Sequence, residues 1–272
     1  MSIDLRVRER AVIQSGKGKM FKLRVLLGVL AVLALGVVAS ASASAPGSLT
    51  CTGGSIASGN YKGVTVTGNC GFVPGAVITI DGNLVVADGA ALNDHAASTA
   101  TVNVSGNVLV GKGAVLGLGT YNPFAPHNSS VDGNVIANEP LSLYISFLTI
   151  HGNLVSNGGG GGVTGEFRNF PTKDNTIDGN LIVQGWTGGW IGVIRNHVGG
   201  NVIFNDNTSV INGLVDPPVP GQVDTDSSEI MTNVVAGNLI CHGNTPSAQV
   251  NPDDGGQPNS VGGQKIGQCE GL

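Results

Sequence analysis

The sequence predicts an all-β protein: a single-domain right-handed parallel β-helix, a solenoid whose ends are bracketed by disulfides. Three observations predict it. The dipeptide Gly-Asn recurs at Gly68-Asn69, Gly82-Asn83, Gly106-Asn107, Gly133-Asn134, Gly152-Asn153, Gly179-Asn180, Gly200-Asn201 and Gly237-Asn238. From the second copy on it is followed by a short aliphatic run such as Leu84-Val85-Val86 or Leu181-Ile182-Val183, and repetition at this scale is the mark of stacked coils. The intervals between successive glycines are 14, 24, 27, 19, 27, 21 and 37 residues, most of them close to one turn of a three-sided solenoid. Finally, the chain has 44 glycines and only 4% aromatic residues, a composition that suits many short strands joined by tight turns.

Taken in chain order, residues 1–45 are expected to be an export signal. Lys22 and Arg24 precede an apolar run over 25–38, and the Ala/Ser stretch 39–45 supplies small-residue cleavage sites. The apolar run falls short of the roughly 20 residues a membrane span needs, so no stable membrane anchor is expected. A start at Met20 would give this signal ordinary proportions. The remainder, 46–272, is expected to be the β-solenoid domain, including a C-terminal disulfide loop over 241–272.

Within that domain the first, 14-residue interval is too short for a full coil and is assigned to a cap. The next coils carry a second corner seven residues after the Gly-Asn glycine: Gly75-Ala76, Gly89-Ala90 and Gly113-Ala114. The order is therefore strand, Gly-Asn corner, strand, Gly-Ala corner, strand, with glycine and asparagine serving left-handed backbone at the corners. Alternation in Val102-Asn103-Val104 points apolar residues inward and polar ones outward. Coils about 4.8 Å apart put each side chain above its counterpart. Asn83, Asn107, Asn134, Asn153, Asn180, Asn201 and Asn238 then become candidates for one internal amide ladder. The run 158–162, all glycine, lacks the lysine and hydroxyl of a phosphate-binding loop and reads as a mobile loop. The longest interval holds Asp216-Pro217-Pro218-Val219-Pro220-Gly221, read as an inserted loop. An antiparallel sandwich or barrel would also give many short strands, but a recurrent corner with irregular insertions favours the solenoid. The strict six-residue rhythm of left-handed solenoids fits only 109–119, which favours the right-handed form.

The four cysteines, Cys51, Cys70, Cys241 and Cys269, lie at the extremes of the solenoid domain. Four cysteines allow three connectivities. Local pairing, Cys51 with Cys70 and Cys241 with Cys269, is favoured because each pair brackets one end.

Beyond residue 45 the chain carries six basic and sixteen acidic residues, a formal net charge of −10. Nucleic acid is excluded as a partner, because binding it requires basic clusters. No cofactor is expected, and no metal: the cysteines lack close spacing, and Asp253-Asp254 lacks the rest of a calcium loop.

Two groups of residues could carry chemistry. The residue before each Gly-Asn corner forms the column Asp81, Ser105, Asp132, His151, Asp178, Gly199 and Ala236. In it Asp132, His151 and Asp178 fall on three consecutive coils, a carboxylate-imidazole-carboxylate set usable for acid/base work or a metal. The simpler reading is an outward turn position, which the serine, glycine and alanine of the same column support. The second group is Glu166, Arg168, Trp186, Trp190, Arg195 and His197, aromatics beside charges that could form a carbohydrate platform. The simpler reading is that the tryptophans cover the core of the solenoid.

The ends of the chain resemble a group of secreted actinobacterial β-helix proteins of unknown function. The residues that carry the resemblance are Cys51-Thr52-Gly53-Gly54 and Gly63-Val64-Thr65-Val66 before Cys70, then Cys241-His242-Gly243-Asn244-Thr245-Pro246, Asn259, Val261-Gly262-Gly263 and Gly267-Gln268-Cys269. The resemblance covers most of 51–272 and implies a β-helical fold; it brings no active site. The coil pattern is more distantly similar to polysaccharide lyases and pectinases, none of whose catalytic motifs is matched. The expectation is a secreted, extracellular, non-enzymatic solenoid with a structural or binding role at the cell envelope or outside the cell, with envelope or extracellular polysaccharide as its partner. The alternative is a polysaccharide-active lyase or hydrolase, or a carbohydrate-binding protein, on the same scaffold.

Overall fold

Short β-branched runs separated by tight corners cannot bury their apolar side chains as isolated strands, and here they bury them by stacking. The computed structural model describes residues 47–93, 99–120, 128–161, 169–209, 227–250 and 255–272. Every strand pairing among them is parallel, and each strand pairs with its counterpart one coil away. The protein is a parallel β-helix, as its repeat predicts.

Three faces make each coil. Face 1 follows the Gly-Asn corner and consists of Leu84–Val86, Val108–Val110, Val135–Asn138, Leu154–Asn157, Leu181–Gln184, Val202–Asn205, Leu239–His242 and Lys265–Gly267. Face 2 contains Ala91–Asn93, Val115–Gly119, Ser142–Ser146, Phe170–Lys173, Ile191–Ile194 and Ser228–Met231. Face 3, which precedes the Gly-Asn corner, runs from Gly59–Tyr61 and Val77–Ile80 through Thr101–Val104, Ser130–Val131, Thr149–Ile150, Thr176–Ile177, His197–Val198 and Val234–Val235 to Ser260–Val261. Faces 1 and 2 join into a single sheet because the long strand Gly63–Phe72 bends across both, pairing with Leu84–Val86 at one end and Ala91–Asn93 at the other. A short extra pair, Thr187–Gly188 with Thr208–Ser209, extends two of the coils.

The core is a set of aliphatic columns. Leu84, Val108, Val135, Leu154, Leu181, Val202 and Leu239 stack on face 1 with no exposed surface. Ile80, Val104, Val131, Ile150, Ile177, Val198 and Val235 stack on face 3, each at most 3% exposed. At roughly 25 cal/mol per Å² of apolar area, these columns are the dominant stabilising term of the stack.

The Gly-Asn glycines differ from expectation in one respect. None of Gly82, Gly106, Gly133, Gly152, Gly179, Gly200 or Gly237 has a positive φ. They are glycine because the coils approach too closely for anything larger: a Cβ on Gly133 would lie 2.5 Å from the carbonyl oxygen of Gly106 and 2.7 Å from Oδ1 of Asn107. Left-handed backbone belongs instead to the following corner, at Gly89 (φ 69°) and Gly113 (φ 66°). The first Gly-Asn copy is out of register with the others. Gly68-Asn69 sits within Gly63–Phe72, between faces 1 and 2, and the residue aligned with Asn83 is Gly63. The last coil uses Gly263-Gln264 where the others have Gly-Asn, with the Gln264 N–H donating to Asn238 Oδ1 at 2.8 Å.

Disulfides join Cys51 to Cys70 and Cys241 to Cys269, with Cα atoms 6.5 Å and 5.2 Å apart, so local pairing at each end holds. Gly158, Gly159 and Gly160 follow the strand that ends at Asn157 and lie in no strand themselves, yet they bond to neighbouring coils: Gly158 N–H donates to Gln184 O and Gly160 N–H to Pro140 O, while Gly162 lies outside the described residues. Their φ values of 68°, 115° and 83° explain why the sequence uses glycine there. The export segment, the 216–221 insertion and Asp253-Asp254 lie outside the described residues.

Candidate functional site

The Asp132-His151-Asp178 column is held by face 3. Val131, Ile150 and Ile177 are in register and point inward, so the residues that follow them stand outward at the corner. The whole column, from Asp81 to Ala236, is exposed. Within it, His151 Nδ1–H donates to Asp178 Oδ2 at 2.7 Å, and both side chains remain about half exposed (51% and 54%). The hydrogen bond to Asp178 holds the imidazole above its ordinary pKa; desolvation opposes this, and the charges of Asp178 and Asp132 add to it. Asp132 therefore acts on His151 through its field. Among the described residues no three His, Cys, Asp or Glu side chains converge as metal ligands.

The pair links two coils at a solvent-washed corner, and it has counterparts. Arg195 makes a bidentate contact to Asp174, Nε to Oδ1 at 2.7 Å and Nη2 to Oδ2 at 2.6 Å. Lys112 pairs with Glu139 at 2.5 Å, both well exposed. Each of the three pairs joins equivalent or near-equivalent positions of successive coils. A charged corner residue thus finds its partner one coil away, which is the ladder logic of the fold applied to ions.

The second predicted group does not come together as a platform. Trp186 is fully buried. It occupies the position seven residues after the Gly-Asn glycine, where earlier coils have Gly89 and Gly113, and its ring turns into the core. There it meets Phe170 edge-on, centroids 5.1 Å apart at 67°. Gly159 and Gly160 make room for it: a Cβ on either would come within 2.8 Å of the indole ring. Its Nε1–H is buried and has no hydrogen-bond partner among the described residues. Trp190 is partly buried, with its ring over Gly192 and the Lys173 ammonium 4.5 Å from its centroid. His197 is exposed on face 3, and Arg195 is engaged by Asp174. Glu166 and Arg168 lie outside the described residues.

Comparison with protein-family models, with curated proteins and with solved structures finds no match. The site must therefore be read from its own chemistry.

The most elaborate polar structure in the molecule is a set of amide ladders. The predicted column is present: Asn107 N–H donates to Asn83 Oδ1 at 2.8 Å, Asn134 N–H to Asn107 Oδ1 at 2.9 Å, and the pattern continues through Asn153, Asn180, Asn201 and Asn238. It lies partly buried at the corner rather than inside. The internal ladder is a different one: Asn175, Asn196, Asn233 and Asn259, each at most 4% exposed. Asn196 Nδ2 donates to Thr172 O and Asn233 Oδ1, while its own Oδ1 accepts from the N–H and Nδ2 of Asn175. Asn207 and Asn244 form a third, ending on Gln268 Oε1. The internal ladder has a sequence signal: asparagine four residues before the Gly-Asn glycine, at 175, 196 and 233, and before Gly263 at 259. These amides satisfy buried backbone groups and one another.

Proposed function

We propose that the chain is an exported, non-enzymatic β-solenoid with a structural or binding role at the cell envelope or outside the cell. The observation that carries this reading is the use to which its polar groups are put. Amides and charged corner residues bond coil to coil, and the acid-imidazole-acid column stands on a corner where Asp132, His151 and Asp178 are all exposed. General acid/base catalysis draws on water-excluded, concave sites that perturb and orient their groups. His151 and Asp178 have a partner in each other and bulk water on their other sides.

Two disulfides support export, since such bonds persist in oxidising compartments. No helix among the described residues is long and apolar enough to cross a membrane. The resemblance of the chain ends to secreted actinobacterial β-helix proteins supports the same assignment. A carbohydrate-binding role keeps one supporting observation, the partly exposed Trp190 ring beside Lys173.

The test is a screen of the purified protein against a glycan array and a panel of polysaccharide substrates. The reading expects no turnover. Turnover lost in Asp132→Ala or Asp178→Ala would replace it with the enzyme. Binding without turnover, lost in Trp190→Ala, would specify the binding role as lectin-like.

A further inference from the structure

Among the described residues, face 1 carries an unbroken outward aliphatic column. Between the buried columns of that face the register aligns Val85, Leu109, Ile136, Val155, Ile182, Ile203, Ile240 and Ile266. All eight side chains point outward and are partly exposed. Face 3 supplies the internal control. Its equivalent outward column is Thr79, Asn103, Ser130, Thr149, Thr176, His197, Val234 and Ser260, polar at all but one position. On face 3 the outward positions are mostly polar, Val77 and Val234 apart, so an unbroken aliphatic column is not a requirement of the coil.

The stripe is also cleared of charge. On one side stands the Asn83-to-Asn238 amide ladder; on the other stand Ala87, Gly111, Asn138, Asn157, Gln184, Asn205 and His242. From Asn83 to Ile240 the face holds no ionisable side chain, and His242 and Lys265 enter only in the last two coils. Charges appear at the rims, with Asp88, Lys112, Glu139 and Asp206 along one and Asp132, His151 and Asp178 along the other.

We propose that face 1 is the surface on which a second copy of this chain docks. A chain with a formal net charge of −10 beyond residue 45 repels its own kind, and this face is where two copies can meet without opposing charges. The face is self-complementary: a twofold lays aliphatic stripe on aliphatic stripe and amide rows on amide rows. Eight coils at about 4.8 Å and four residues at about 3.3 Å give a patch of about 34 by 13 Å, or roughly 900 Å² for two copies. That falls short of the roughly 1,200 Å² at which stable interfaces begin, so the association is weak, reversible and concentration-dependent. The inference does not depend on the envelope role proposed above.

Sedimentation equilibrium of the purified, disulfide-intact protein tests it. The expected result is a monomer-dimer equilibrium that persists at high salt, because no ion pair drives it. Ile182→Lys on face 1 should weaken the dimer at least tenfold, whereas Thr149→Lys on face 3 should leave it unchanged. If the lysine disturbs folding, as judged by circular dichroism and melting, the double variant Ile182→Thr/Ile203→Thr keeps β-branched side chains and should weaken the dimer in the same sense. A protein that stays monomeric up to about 0.5 mM, where even a dimer with a dissociation constant of about 0.1 mM is mostly assembled, would overturn the proposal. So would a dimer indifferent to these substitutions. Retention of a monomer on a neutral polysaccharide through Ile182 would assign the face to that ligand instead.

Discussion

At the scale of single residues, asparagine does most of the polar work, and its value depends on depth. Asn196 is fully buried, and its amide satisfies the Asn175 N–H and the Thr172 carbonyl at once. Asn196→Ala would strand both groups away from water and should cost about 2–4 kcal/mol in chemical denaturation. Asn107→Ala, at the partly solvated corner, lets water replace the lost contact to the Asn134 N–H and should cost about 1 kcal/mol. Equal losses at the two sites would show that the ladders do not differ in burial. His151 makes a second residue-scale prediction. Its folded pKa is raised by Asp178, so the stabilisation it contributes is fully present below the unfolded value near 6.5 and disappears as pH rises through the folded value. Proton NMR titration should place His151 above 6.5, and Asp178→Asn should bring it back down. Both groups are half exposed, so the effect on melting should be small.

At the scale of the element, two kinds of glycine corner separate. Gly113 has a positive φ and open space around its Cβ position, so Gly113→Ala should cost only the strain of a left-handed residue, about 1 kcal/mol. Gly133 has ordinary φ but no room, because its Cβ would strike the carbonyl oxygen of the coil before it. Gly133→Ala must therefore push two coils apart and should cost about 3 kcal/mol or more, measured by the shift in denaturation midpoint. The ranking is the test; a costlier Gly113→Ala would mean that turn conformation, not coil approach, selects glycine at the repeat. The sequence made both corners visible, because each recurs at a fixed offset. It hid the difference between them, since close approach and left-handed backbone select the same residue type. It also hid the slip of the first copy: Gly68-Asn69 has the right letters, but only pairing with the neighbouring strand shows which corner it occupies.

At the scale of the molecule, a solenoid is close to one-dimensional, with each coil held by its neighbours and the ends held by one side only. The disulfides lie at those ends, spanning 19 and 28 residues. Replacing Cys241 and Cys269 together with serine should lower stability by about 3 kcal/mol, and hydrogen exchange should rise first in the coils beside the C-terminal end. Exchange that rises evenly along the stack would contradict this end-held picture.

The sequence by itself determined the parallel β-helix, its three-strand coil, the corner amide ladder and the favoured disulfide pairing. Each of these is written as a period or as a position along the chain, and stacking converts a period directly into a column. It also brought Asp132, His151 and Asp178 into one column for the same reason. What it could not determine is depth and direction. Only the tertiary structure decided that Trp186 turns into the core to fill the space two glycines leave, that the internal ladder runs through Asn196 rather than Asn107, and that His151 and Asp178 spend their interaction on each other. Burial is a property of what stands above, below and across the coil, and a repeat read along the chain does not contain it.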